Sequence, residues 1–254
     1  MDMWDAVGLK ASCVLSGVGA GGKTSLLLSL AAGALRRRVP VILTATTKMY
    51  RQQVSAFQPI ITSVWDDGSR ETGNHLRRQG CAAWFAAEEG GKVIGLPPAY
   101  VDELNMLFPE AVVLVEADGA REKWLKAPGL HEPVIPPSTQ ITAGILSLQA
   151  LQRPLTDATV HRLDMVCALL GKKPGDIITA GDLAALAGAD EGLFRNSRGR
   201  RILILAGSSD VNPSAGHEVV KQLRQPSGIN CCIITRGYGE SMQPCEVKKK
   251  KKSW

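Results

Sequence analysis

The chain has 254 residues, 44% hydrophobic and 21% charged, which suits an ordinary globular α/β protein and excludes a disordered or fibrous one. Its formal charge is +6, but Lys248 to Lys252 form a single run, and without those five the balance is 25 basic residues against 24 acidic. The nearly neutral body argues against a nucleic-acid-binding domain, and 246–254 reads as a disordered basic tail.

No run of about 18 apolar residues occurs, so neither a membrane span nor a membrane partner is expected. Asp2 and Asp5 stand where an export signal has basic residues, so the expected compartment is cytoplasmic. The six cysteines form no C-x-x-C pair and read as buried thiols.

Residues 11–16 are a short apolar run that stops at a glycine cluster, the pattern of a buried strand and a tight loop. From Lys23 to about Arg36 the chain is rich in Leu and Ala and free of proline, which predicts a helix. Val41-Ile42-Leu43-Thr44 predicts a second strand. Strand, glycine loop, helix, strand is a βαβ unit with parallel strands. The stretch 54–96 is read as short strands over 59–64, 82–85 and 92–96, with a helix over 74–79. A helix over 100–107 follows Pro97 and Pro98. Residues 111–115, apolar throughout, predict a central strand buried on both faces. Pro128, Pro133, Pro136 and Pro137 impose an extended or ordered loop over 126–139. There follow a strand over 141–148, helices over 160–170 and 179–187, a strand over 202–205, a helix over 217–223 and a strand over 229–235. Thr179 reads as an N-cap, with Asp182 three residues on. The expected fold is α/β and P-loop NTPase-like: a mainly parallel sheet flanked by helices. One domain covers 1–245, with a helix-rich insertion at 150–200.

Gly17-Val18-Gly19-Ala20-Gly21-Gly22-Lys23-Thr24 fits G-x-x-x-x-G-K-[ST]. A phosphate needs several backbone N–H groups turned to one point, and glycines permit that backbone. The helix that follows adds its free N-terminal N–H groups, Ser25 included, and its positive dipole end. Lys23 would reach the β- and γ-phosphates and the Thr24 hydroxyl would take a position on Mg²⁺. Gly17, Gly19 and Gly22 also satisfy the dinucleotide pattern G-x-G-x-x-G. Lys23-Thr24, and the lack of an acid near position 44, favour a triphosphate instead.

A metal-holding acid is expected at the end of a neighbouring apolar strand, and Glu116 and Asp118 follow Val112-Val113-Leu114-Val115. Two residues apart, they point to one side of an extended chain. Thr24 and Asp118 are the expected metal ligands. Glu116 and Asp118 are both candidates, with Lys23, for the catalytic role, and spacing does not divide the work between them. Thr46 and Thr47 leave the second strand at the same edge, where a hydroxyl could meet a phosphate or merely end a strand. Residues 205–210 stand where a guanine-reading loop would lie, but only Asp210 survives of that pattern, so ATP and GTP both stay open.

Gly19 to Leu26, Thr44 to Met49, Val115 to Arg121, Lys126 to Pro136 and Val160-His161-Arg162, in that order and spacing, resemble the YqeC family. That family comprises accessory proteins of selenium-dependent molybdenum hydroxylases. The resemblance spans roughly 10–240. It implies a nucleotide-binding P-loop fold and a role in maturing a selenium-containing molybdenum cofactor or its enzyme. It points to Lys23, Thr24, Thr46, Thr47, Glu116, Asp118, Lys126, His131, Glu132, His161 and Arg162. The expected partners are a nucleoside triphosphate and a molybdenum hydroxylase or its molybdopterin-type cofactor. The leading reading is a Mg²⁺-dependent NTPase or a phosphoryl or nucleotidyl transferase. The alternative is a nucleotide-gated module that docks a client hydroxylase. A third, a carrier using Cys13, is set against the commoner buried thiol.

Overall fold

The computed structural model describes residues 1–207, 213–223 and 228–249. Nine strands form one sheet: β1 (Cys13–Gly19), β2 (Val41–Ala45), β3 (Ile60–Ile61), β4 (Cys81–Phe85), β5 (Val112–Glu116), β6 (Ile141–Ser147), β7 (Arg200–Ala206), β8 (Ile229–Arg236) and β9 (Gln243–Lys249). Their spatial order is β9-β8-β7-β6-β1-β5-β2-β4-β3. Every pairing is parallel except that of β9 with β8. The helices are α1 (Met3–Val7), α2 (Lys23–Arg36), α3 (Trp65–Gln79), α4 (Pro98–Leu107), α5 (Leu163–Leu170), α6 (Ala180–Gly188) and α7 (Pro213–Gln222).

Successive strand side chains point to opposite faces, so each strand feeds two cores. Leu15, Leu43, Leu114, Ile145 and Ile204 meet α1 and α2 on one face. On the other, Val14, Ile42 and Val113 meet α4 and the Trp65 end of α3, while Leu146, Leu203 and Ile234 meet α5, α6 and α7. β1 and β5 are buried throughout, as an apolar central strand requires. On α2, Leu26, Leu27 and Leu30 are fully buried. Each contributes roughly 1.5–3 kcal/mol by leaving water.

The βαβ unit stands as the sequence predicts, and α2 keeps its predicted bounds. Other expectations need correction. The helix expected over 160–170 begins at Leu163, because Val160–His161 pairs with Leu125–Lys126 and Arg162 then turns left-handed, at φ 62°. The helix expected over 74–79 is α3, which starts at Trp65. Its Gly68 lets the Trp84 ring lie against the backbone, where a Cβ would come within 1.9 Å. The strand expected over 59–64 is only the two residues of β3. Residues 246–249, expected in a disordered tail, end β9: Val247 packs on the core and Glu246 pairs with His217 of α7. The block 150–200, expected as a helix-rich insertion, carries α5 and α6 between β6 and β7. Val166, Leu183 and Leu186 share one core with Leu203 and Leu205 of β7. Among the described residues no helix is long and apolar enough to cross a membrane.

Candidate functional site

β1 lies between β5 and β6, so the turn that follows it sits at the carboxyl edge of the sheet, where α/β ligands bind. The turn depends on glycine at two points. At Gly19, with φ 98°, a Cβ would lie 2.2 Å from the Ile145 carbonyl oxygen; at Gly21, with φ 76°, it would lie 2.4 Å from the Ser147 Cβ. The Gly19 N–H donates to Asp118 Oδ2 (2.9 Å) and the Ala20 N–H to the Ile145 oxygen (3.0 Å). α2 starts after Gly22 without a side-chain cap. The N–H groups of Lys23, Thr24 and Ser25 therefore have no intrahelical acceptor and suit an anion. Gly17, expected in the turn, lies inside β1 opposite Glu116 and Ala143.

Lys23 is 5% exposed. Its Nζ donates to the Gly19 oxygen (2.7 Å) and lies 3.2 Å from Asp118 Oδ1 and 3.9 Å from Glu116 Oε1. Burial works against the ammonium, but the two carboxylates outweigh it and raise its pKa. Burial also pushes the Glu116 carboxyl up, against the pull of Lys23 and Thr24.

Thr24 Oγ1 donates to Glu116 Oε2 at 2.7 Å. Of the two acids expected near the metal, the one that touches the threonine is thus Glu116. Glu116, the last residue of β5, meets the first turn of α2. Asp118, beyond the strand, lies between Lys23 and Lys126, whose Nζ is 3.0 Å away. Thr24 and Glu116 offer oxygen donors suited to a hard divalent cation completed by phosphate oxygens. Among the described residues, no group of three or more His, Cys, Asp or Glu could hold a metal alone.

A second ion set adjoins the first. Lys126 Nζ donates to the Gly119 oxygen (2.6 Å) and to Glu132 Oε2 (2.7 Å), which also accepts from Arg162 Nη1 (2.6 Å). Burial would raise Glu132, but the hydrogen bonds from Arg162 and Lys126 prevail and hold it at about 2. Burial, with Arg162 and Lys126 adding to it, lowers His161 to about 4.

Both sets border one cleft of about 490 Å³. Of the expected residues, Gly21, Gly22, Lys23, Thr24, Ser25, Thr47, Glu116, Glu132, His161 and Arg162 line it. Thr47 brings a buried hydroxyl with no hydrogen-bond partner. Thr46 does not line it: its hydroxyl donates to the Val134 oxygen (2.6 Å) and ties β2 to the proline-rich loop. His131 is exposed on that loop, away from the cleft. Cys13 is buried in the core, and burial pushes its thiol up to about 11, against a thiolate role. The base-reading position Asp210 lies outside the described residues.

Sequence reasoning did not single out Tyr50, Lys92, Lys123 or Tyr238 as cleft residues. Tyr50 and Lys92 come together on a small sheet (Lys48–Tyr50, Ala87–Glu89, Lys92–Ile94), the ammonium 4.8 Å from the ring centroid. Tyr238 follows β8. The only signal for it was its place after a parallel strand at the ligand edge.

The sheet, with a glycine turn leading from its middle strand into a helix, defines an α/β protein of P-loop NTPase-like architecture. The chain belongs to the YqeC family. The family described as YqeC protein matches residues 15–164, which contain the turn, both acids and His161-Arg162. The chain is also 32% identical, over 187 residues, to a protein of Escherichia coli (strain K12) named "Uncharacterized protein YqeC". That match covers 74% of this chain and 72% of the relative.

Proposed function

We propose that the chain binds a nucleoside triphosphate, ATP or GTP, with Mg²⁺ at the start of α2, and acts on it as an NTPase or as a phosphoryl or nucleotidyl transferase. The observation that carries this is the Thr24–Glu116 hydrogen bond beside an uncapped helix start. The first-turn N–H groups bind phosphate oxygens and Lys23 neutralises their charge. Thr24 and Glu116 hold the cation, which when bound supplies charge stabilisation at the phosphates. Asp118 is a positioning residue: it holds the Gly19 N–H and the Lys23 and Lys126 ammonium groups. Service to a selenium-containing molybdenum cofactor or its hydroxylase rests on the family motifs, not on this geometry.

Calorimetry with ATP and GTP, with and without Mg²⁺, tests the reading. Binding should require Mg²⁺ and weaken about 10- to 100-fold in Lys23→Ala, the worth of a charge-assisted contact. Glu116→Gln should remove the Mg²⁺ dependence. Equal binding by wild type and Lys23→Ala, or none by wild type, overturns it.

The gated docking role draws on a different observation. Thr46 and Ala117 both bond Val134, which links β2, β5 and the proline-rich loop. A client hydroxylase that speeds hydrolysis favours gating; a small acceptor that becomes modified favours transfer.

A further inference from the structure

The cleft is charged well beyond what the start of α2 uses. Its lining has six cations (Lys23, Lys48, Lys92, Arg121, Lys123, Arg162) against three carboxylates (Glu116, Glu122, Glu132). Lys23 is held by Asp118 and Glu116, Arg162 by Glu132, and Lys48 by Glu89. Arg121 and Lys123 have no carboxylate partner among the described residues, and Glu122 between them has no cation. The segment that carries them is fixed rather than loose. The Lys123 N–H donates to the Ala120 oxygen and the Trp124 N–H to the Thr159 oxygen, and the Arg153 guanidinium lies 4.9 Å from the Trp124 ring centroid. Arg121 and Glu122 are both left-handed, at φ 49° and 60°. Such a backbone is costly for non-glycine residues. The neutral His161 and the tied Arg162 stand on the wall of the same cleft.

We propose that Arg121 and Lys123, with Arg162 beside them, form a second anion subsite that takes the phosphate of a phosphomonoester while a triphosphate occupies the start of α2. This deepens the proposed function, since it makes the cleft a place for two ligands. It is the arrangement a transferase needs to hold an acceptor beside its donor.

The test titrates phenyl phosphate into the full chain saturated with Mg²⁺ and a non-hydrolysable ATP or GTP analogue, by calorimetry. Phenyl phosphate should bind alongside the nucleotide. It should weaken about tenfold or more in Arg121→Ser/Lys123→Ser, the loss expected of charge-assisted contacts, with nucleotide affinity little changed. Lys23→Ala should leave phenyl phosphate binding in place. Both replaced side chains stand at the cleft mouth, and matching melting curves confirm the fold. Competition between phenyl phosphate and the nucleotide, or equal binding by the double variant, overturns the subsite. If no nucleotide binds but phenyl phosphate still depends on Arg121 and Lys123, the subsite stands and the nucleotide reading alone falls.

Discussion

His161 and Glu132 lie in one ion set, and both should make the fold sensitive to acid. Burial, helped by Arg162 and Lys126, holds His161 at about 4 against 6.5 when free. The unfolded chain therefore takes the proton first. Stability present above pH 6.5 is lost as the pH falls towards 4. Glu132, at about 2 against 4.5, adds a lower window of the same sign, between pH 4.5 and 2. Glu116, raised by burial, works the other way and is relieved by acid. His161→Gln should flatten the decline between pH 6.5 and 4, read as urea midpoints across that range. Parallel profiles for variant and wild type would exclude this role for His161. Lys23, Thr24 and Glu116 were legible because a motif fixes their distance from a strand end. His131 and Thr46 were not legible as cleft or non-cleft residues, because spacing does not say which way a side chain points from a proline-rich loop or from the end of a strand.

The start of α2 makes a sharper demand on sequence than its body does. Gly21→Ala places a Cβ 2.4 Å from Ser147 in a left-handed backbone, so it should cost about 1–3 kcal/mol and weaken triphosphate binding. Thr179→Ala is the control. It removes the capping box of α6 and should cost about 1 kcal/mol with binding unchanged. Thermal melts and calorimetry on the two variants separate a helix start that binds from one that only folds. α2 and α6 were readable because their ends carry local chemistry: a glycine turn for one, Thr179 with Asp182 for the other. The start of α5 was not, because Val160-His161 suits a helical face as well as a strand. Only the distant partner Leu125–Lys126 decides between them.

At the scale of the whole molecule, the parallel sheet followed from the βαβ reading, but its closing strand did not. β9 ends in Glu246-Val247-Lys248-Lys249, which reads as the start of a charged tail; only its pairing with β8 makes it a strand. Removing 243–254 would bare the edge of β8, which carries Cys231, Cys232, Ile233 and Ile234. The shortened chain should melt lower and form larger species in light scattering. A monodisperse shortened chain with an unchanged melt would show that β9 protects nothing.

The charges of the cleft are arranged in depth. Three cations, Lys23 and Arg162 on its wall and Lys126 behind it, are matched by three carboxylates, Glu116 and Glu132 on the wall and Asp118 behind it. Arg121 and Lys123 stand unmatched at its mouth. Salt screens charges in solvent far more than charges in the interior. An anion is therefore drawn in by one set of groups and retained by another. Raising the ionic strength should lower how often it arrives while barely changing how long it stays.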